Sequence, residues 1–325
     1  MRLVVPIQQP TGTMVSADGV ELFVRERGHG RPLLLLNGLG GTVELLEALE
    51  ERLATVAHTI AVELPGSGRS PTPRRPLSIG ALARISVSLL DELGHREADV
   101  LGFSLGGIVA QQLAHEAPSR VRRLALAGTA CGWGSVPGTL EALTLLSMPL
   151  RYHSRVLYDQ TTCLLGLADQ ELLRRLPALR EARLRNPPSL LGYTYQLTAG
   201  ALWSSLPWLP TVSAPTLVLS GEADQLVQPA NGVQLARLLP ESRLHVLPGE
   251  GHLFVYDPDS RSFALLADFF SSPTLARSPA WKTGTTVADD ETVEAAFEAA
   301  GGAQPHRALS DAFRRFVRRS ATLAA

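Results

Sequence analysis

The 325-residue chain reads as an α/β protein, a mostly parallel β-sheet with helices on both of its faces. Short apolar runs recur along it, of the kind a strand shows when it is buried on two sides, and stretches with helical spacing lie between most of them. Turn-forming Gly, Pro, Ser and Asp follow many of these runs. Hydrophobic residues make up 45% of the chain and charged residues 19%, which supports a large core and excludes a disordered or fibrous protein.

The elements follow in order. "GVELFVRERGHG" alternates like a strand and closes on a glycine turn, and "PLLLLNGLGG" is a buried strand running into a flexible loop. "HTIAVELPGSGRS" and "ADVLGF" give two more strands with turns behind them, and "VRRLALAGTA", "PTLVLSGEAD" and "SRLHVLPGEGH" complete the set. "LSIGALARISVSLLDELG" and "GIVAQQLAHEAP" have helical spacing. Two regions break the alternation. Residues 131–213 hold no convincing strand, only Leu-rich, Arg-bearing helical pattern such as "ELLRRLPALREARLR", broken at prolines. They predict a helical cap inserted over the carboxyl ends of the strands, where sites in such sheets gather. The core is therefore expected in two parts, residues 1–130 and 214–272. Residues 273–325 read as a Ser/Pro-containing linker, "SSPTLARSPAWKTGTT", followed by a helical tail.

Composition narrows the function classes. A formal net charge of −1 offers no general attraction to nucleic acid, although 29 arginines stand against a single lysine, Lys282. Cys131 and Cys163 are too few for a disulfide framework and form no CxxC pair, which points to a reducing compartment. The opening "MRLVVPIQQPTGT" lacks the pattern of a signal peptide, and no segment is apolar for long enough to cross a bilayer, so a soluble, cytoplasmic protein is expected.

Gly102-Phe103-Ser104-Leu105-Gly106 fits G-x-S-x-G, and it lies between a strand and a helix, the context that gives this short motif meaning. The glycines permit a sharp turn with close helix packing, leaving the serine hydroxyl exposed at the edge of the sheet. A hydroxyl is a weak nucleophile at neutral pH and needs a base within hydrogen-bond reach, itself oriented by a carboxylate. Asp224, in "GEAD", and His252, in "GEGH", follow later strands and supply both in the chain order Ser, Asp, His. Glu222 is the alternative carboxylate. The other histidines lack this strand-end setting.

Acyl transfer also needs donors for an oxyanion. The backbone N–H of Leu105, next to the nucleophile, is one candidate, and that of Leu39, in the loop after "PLLLL", is the other. HExxH, paired CxxC and clustered His/Asp patterns are absent, and "LPGSGRS" runs into "PTPRRP" rather than a helix. No metal and no cofactor are expected.

The set "NGLGG", "ELPGSGRS", "GFSLGG", "GEAD" and "GEGH" resembles the α/β-hydrolase superfamily. Longer stretches, "NGLGGTVELLEAL", "SPTPRRPLSIGALARI", "SVPGT", "GYTYQLTAGALWSSLPWL" and "LHVLPGEGHLF", are similar to the intracellular medium-chain-length polyhydroxyalkanoate (PHA) depolymerases. The likeness runs from about Arg31 to Phe270 and includes the cap. It implies an α/β-hydrolase fold and a serine hydrolase that cleaves the esters of a stored polyester of 3-hydroxy acids, with Ser104, Asp224 and His252 matching the triad. There are departures. Leu105 stands where this family often has tryptophan, Glu63 where it has aspartate, and "GEADQLV" where it has an Asp-rich turn with proline. The same triad also serves acyltransferases, thioesterases acting on 3-hydroxyacyl thioesters, and general carboxylesterases. A granule-associated binding protein with a vestigial triad is the non-enzymatic alternative.

Aromatic weight lies in the cap, where Trp and Tyr side chains suit either an acyl channel or the cap's own core. Asn37, Trp133, Tyr193 and Trp203 are the candidates for substrate contact. In the tail, "HRALSDAFRRFVRRSATLAA" sets Leu309, Phe313, Phe316 and Val317 on one helical face with an excess of arginine elsewhere. Such a helix suits an anionic lipid or PHA granule surface, or packing on its own protein against "DDETVEAAFEAA".

Overall fold

The computed structural model describes residues 12–287; the basic helical pattern of the tail lies outside them. The strands are β1 (Thr13–Ala17), β2 (Val20–Arg27), β3 (Pro32–Leu36), β4 (His58–Val62), β5 (Ala98–Phe103), β6 (Val121–Ala127), β7 (Thr216–Gly221) and β8 (Ser242–Leu247). They form one sheet in the order β1-β2-β4-β3-β5-β6-β7-β8. β1, β2 and β4 pair antiparallel, and every pair from β4 to β8 is parallel. Each expected strand is present. β1 was not expected: "TMVSA" is short, has exposed positions, and becomes a strand by pairing with β2.

The period of two in the strands builds two cores. Leu34 and Leu36 of β3 point into one with Ile60, Val100, Leu124 and Val218; Leu33 and Leu35 point into the other with Ala61, Leu101, Ala125 and Leu217. α2 (Ile79–Glu92), α3 (Leu105–Glu116) and α9 (Pro229–Leu238) cover the first face; α1 (Glu47–Ala54) and α10 (Arg261–Ser271) cover the second. Both faces being dry is why these strands read as unbroken apolar runs.

Between β6 and β7 the chain forms α4 (Leu140–Leu146), α5 (Arg155–Thr161), α6 (Leu167–Arg175), α7 (Pro177–Arg185) and α8 (Leu190–Ala201), joined by short 3-10 turns. Pro177 opens α7, and Thr139, Ser154 and Ser189 cap α4, α5 and α8 with their hydroxyls. The exposed large apolar side chains of the described residues, apart from Met14 and Val56, all belong to this segment.

The expected linker after residue 272 is corrected over its described part. α11 (Pro279–Thr283) packs on the second core, where Trp281 stacks on Phe269 with ring centroids 5.8 Å apart. Thr285 then bridges β8 at Leu244. One large ring in an otherwise Ser/Pro-rich stretch has enough apolar area to dock it.

Candidate active site

Strand β5 and helix α3 meet at Ser104, whose φ of 52° and ψ of −119° lie in a region that side chains seldom occupy. The close packing that forces this turn is visible at Gly102 and Gly106. A Cβ on Gly102 would sit 2.5 Å from the Gly106 carbonyl oxygen, and one on Gly106 would sit 2.0 Å from that of Leu36. Ser104 occupies the N-cap of α3, yet its hydroxyl caps nothing, whereas Ser78, Ser189 and Ser278 at other helix starts each accept a backbone N–H. Its hydroxyl is left for other chemistry.

His252 Nε2 lies 3.2 Å from Ser104 Oγ, and His252 Nδ1 lies 2.8 Å from Asp224 Oδ2. The other oxygen of Asp224 accepts the N–H groups of Leu226 and Val227, at 2.9 and 2.8 Å, which locks the carboxylate in the turn after β7. The alternative, Glu222, instead accepts the N–H of Gly249 at 2.7 Å. Burial lowers the proton affinity of His252, but the charge and hydrogen bond of Asp224, aided by Asp169, outweigh it and hold the imidazole above its ordinary value. Hydroxyl, imidazole and carboxylate therefore stand in a row, a geometry able to generate a nucleophile.

In the loop after β3, the N–H of Leu39 has no acceptor among the described residues, and neither has that of Leu105 at the start of α3. Gly38 and Leu39 line the cavity beside Ser104. Two free donors near a nucleophilic oxygen suit a developing oxyanion, and the N-terminus of α3 adds its partial positive charge.

The candidate substrate contacts divide. Tyr193 lines the cavity and gives its hydroxyl proton to the Leu146 carbonyl oxygen at 3.0 Å. Asn37 is corrected: it is buried and committed to its own neighbours, accepting from the Gly38 N–H and the Tyr256 hydroxyl, each at 2.7 Å, and donating to the Thr42 carbonyl at 2.9 Å. It shapes the Leu39 loop and is not among the cavity's lining. Trp133 is 79% exposed and away from the cavity lining. Trp203 donates to Gln112 of α3 and packs on Trp208, fastening the helical segment to the core. Leu105 is not among the cavity's lining; it lies beside α8, where a Cβ on Gly200 would sit 3.1 Å from it.

Three cavity residues were missed. Asp169 of α6 accepts the backbone N–H of His252 at 3.0 Å and of Leu253 at 2.8 Å, and burial with the nearby charge of Asp224 pushes its carboxyl up to about 6. Arg151 and Arg183 also face the cavity, which is otherwise walled mainly by leucines and tyrosines. No motif marks these three. An aspartate in a helix's first turn and arginines in a polar helical stretch have ordinary explanations.

Far from this site, Glu26, His58 and His95 bring possible ligand atoms within 4.8 Å of one another. They come from separate elements, so no spacing motif announces them. His58 already pairs with Glu26 at 3.0 Å.

Fold and site together define a hydrolase of the α/β class. The alpha/beta hydrolase fold family matches residues 31–259, and the chain belongs to it. Over 231 residues, 70% of this chain and 80% of the relative, it is 38% identical to a poly(3-hydroxyalkanoate) depolymerase of Ectopseudomonas oleovorans. It is 28% identical to a 2-hydroxymuconate semialdehyde hydrolase of Pseudomonas putida, across 82% of this chain and 96% of that one. Among solved structures, a hydrolase from Pseudomonas aeruginosa superposes with a TM-score of 0.65 at 26% identity, covering 74% of this chain and 91% of that one. The protein is an ester hydrolase of this family. No helix among the described residues is long and apolar enough to cross a membrane.

Proposed function

We propose that the protein hydrolyses the ester bonds of poly(3-hydroxyalkanoate), of medium chain length, through an acyl-enzyme on Ser104. The observation that carries this reading is the row Ser104, His252, Asp224 opening into a cavity roofed by the leucines and tyrosines of the helical segment, a cap on this reading. The 38% identity to a poly(3-hydroxyalkanoate) depolymerase supports the substrate. His252 takes the Ser104 proton as Oγ attacks the ester carbonyl, and Asp224 fixes the imidazole and stabilises its charged form. The N–H groups of Leu39 and Leu105 hold the oxyanion. The imidazolium returns the proton to the departing alcohol, and water, activated by the same imidazole, frees the acid.

Such a substrate is an apolar solid stored in granules. The cap's exposed side chains, among them Trp133, Leu140, Leu167 and Leu202, suit contact with it. In cells this reading puts the enzyme in the cytoplasm at the granule surface.

The test compares rates on emulsified medium-chain polyester, short-chain polyester, p-nitrophenyl esters and acyl-CoA, with Ser104→Ala as control. Medium-chain polyester is expected to be cleaved fastest, and Ser104→Ala to lower that rate by several orders of magnitude. Faster acyl transfer from a thioester would favour an acyltransferase. A near-native rate in Ser104→Ala would remove the assignment.

A further inference from the structure

Arginines of the cap are, for the most part, matched to carboxylates. Arg180 pairs with Asp159 and Glu181, Arg175 with Asp257 and Asp259, and Arg155 with Glu181. Arg151 and Arg183, the two that face the cavity, pair with no carboxylate among the described residues. Arg151 is only 3% exposed, and among the described residues its Nε and Nη2 have no hydrogen-bond partner. Its nearest company is aromatic: the rings of Tyr158 at 4.6 Å and Tyr152 at 5.5 Å. Arg183 lies 5.4 Å from the same Tyr152 ring and gives Nη1 to the carbonyls of Leu39 and Gly40, at 3.3 and 3.2 Å. Two guanidinium groups thus flank one ring inside the cavity that holds Ser104 and His252.

Magnitudes say that this arrangement is incomplete. A desolvated cation over a ring regains only part of the hydration it loses. Removing such a charge from water is costly unless an opposite charge and good hydrogen bonds compensate. The carboxylate that lines the cavity, Asp169, is turned to the N–H groups of His252 and Leu253. A bound anion would compensate both charges, and the planar forks of two arginines match a carboxylate.

Resting on the polyester reading above, we propose that Arg151 and Arg183 form a subsite for the free carboxylate at the end of the substrate chain, so that cleavage proceeds from that end. In a polyester of 3-hydroxy acids, the last ester carbonyl is separated from the terminal carboxylate carbon by three atoms: the ester oxygen, the carbon bearing it, and one methylene. Ser104 Oγ bonds to that ester carbonyl, and the carbonyl–oxygen bond to the terminal unit breaks. The leaving oxygen takes the proton held by His252. The released 3-hydroxy acid still carries the carboxylate that the arginines bound. Water then cleaves the acyl-enzyme, restoring the Ser104 hydroxyl and leaving the chain one unit shorter with a new carboxylate end. The acyl part of the chain, which is apolar, occupies the leucine and tyrosine walls.

The test uses the full chain and a soluble dimer of 3-hydroxyoctanoate, as the free acid and as its methyl ester, near neutral pH. Without a cationic subsite the apolar cavity would favour the neutral ester. The expected result is the reverse, a kcat/KM about tenfold higher for the free acid. In Arg151→Met and Arg183→Met the ratio should fall toward one; taken within each variant, it is independent of how much protein folds. Equal rates, or a faster methyl ester, in the unmodified protein would overturn the proposal. A calorimetric titration of Ser104→Ala decides without turnover. Binding of 3-hydroxyoctanoate undisturbed by inorganic phosphate is expected; no binding, or preference for phosphate, overturns the subsite. Should neither dimer be cleaved, the substrate reading fails separately, and the titration still judges the arginines.

Discussion

Asp169 of α6 holds the backbone N–H of His252 from 83 residues away, at 3.0 Å, and takes that of Leu253 as well. Helix α6 thereby grips the loop that carries the proposed general base. The contact is tight: a Cβ on Gly251 would sit 2.4 Å from Asp169 Oδ1. Position of α6 and position of the imidazole are tied together by one buried carboxylate.

That tie has a pH signature. A general base must be neutral, and Asp224 and Asp169 raise the proton affinity of His252 against the effect of burial. The acidic limb of kcat/KM on a soluble ester should therefore lie above the ordinary histidine value of about 6.5. Asp169→Asn removes one of the two negative charges, so the limb should move to lower pH while kcat falls. A limb that stays in place, or rises, would contradict the charge coupling.

The loop behind the Leu39 N–H depends on Asn37, whose amide serves three partners at once. Asn37→Ala leaves the Gly38 N–H and the Tyr256 hydroxyl without their shared acceptor. Because Asn37 does not line the cavity, the loss should appear in kcat, by about ten- to a hundredfold, with KM nearly unchanged. Steady-state kinetics on a p-nitrophenyl ester would check the split.

Glu63, directly after β4, is fully buried, accepting the N–H groups of Val43 and Arg69 at 3.2 and 2.6 Å and pairing with the Arg69 guanidinium. Glu44 also holds Arg69, at 2.6 Å, so the cation keeps one partner when Glu63 is lost. Glu63→Ala should then cost about 3 kcal/mol, chiefly from stranded donors. Urea unfolding monitored by tryptophan fluorescence would measure it.

Trp281 makes residues 279–283 part of the core. Trp281→Ala removes its stack on Phe269 and its contact with Arg243, whose guanidinium lies 4.9 Å from the ring, and should cost about 3–5 kcal/mol. A truncation at residue 273 would carry the same penalty. Ending the chain after Val287 avoids it, so only that truncation tests the tail's part in granule co-sedimentation. A thermal midpoint unchanged by Trp281→Ala would refute the packing argument.

Much of this was legible in the chain because it is local. β3, β5 and β7 declare themselves by runs such as "LLLL", which only a strand buried on both faces needs, and Ser104 declares itself because a strand-to-helix turn that sharp requires Gly102 and Gly106 beside it. Chain order then nominated Asp224 and His252, and the sheet brings them to 2.8 Å. Other residues took their roles from neighbours distant in sequence. Asn37 reads as a substrate contact in the sequence, yet Tyr256 occupies it; Trp203 anchors its segment to α3, and Trp133 lies exposed outside the cavity. Asp169, Arg151 and Arg183 carried no signal, since a carboxylate or a guanidinium on a polar helix looks the same whether water or a cavity faces it. Periodicity and turn chemistry act over a few residues and can be read one-dimensionally; burial, pairing and a missing counter-charge exist only once remote segments meet.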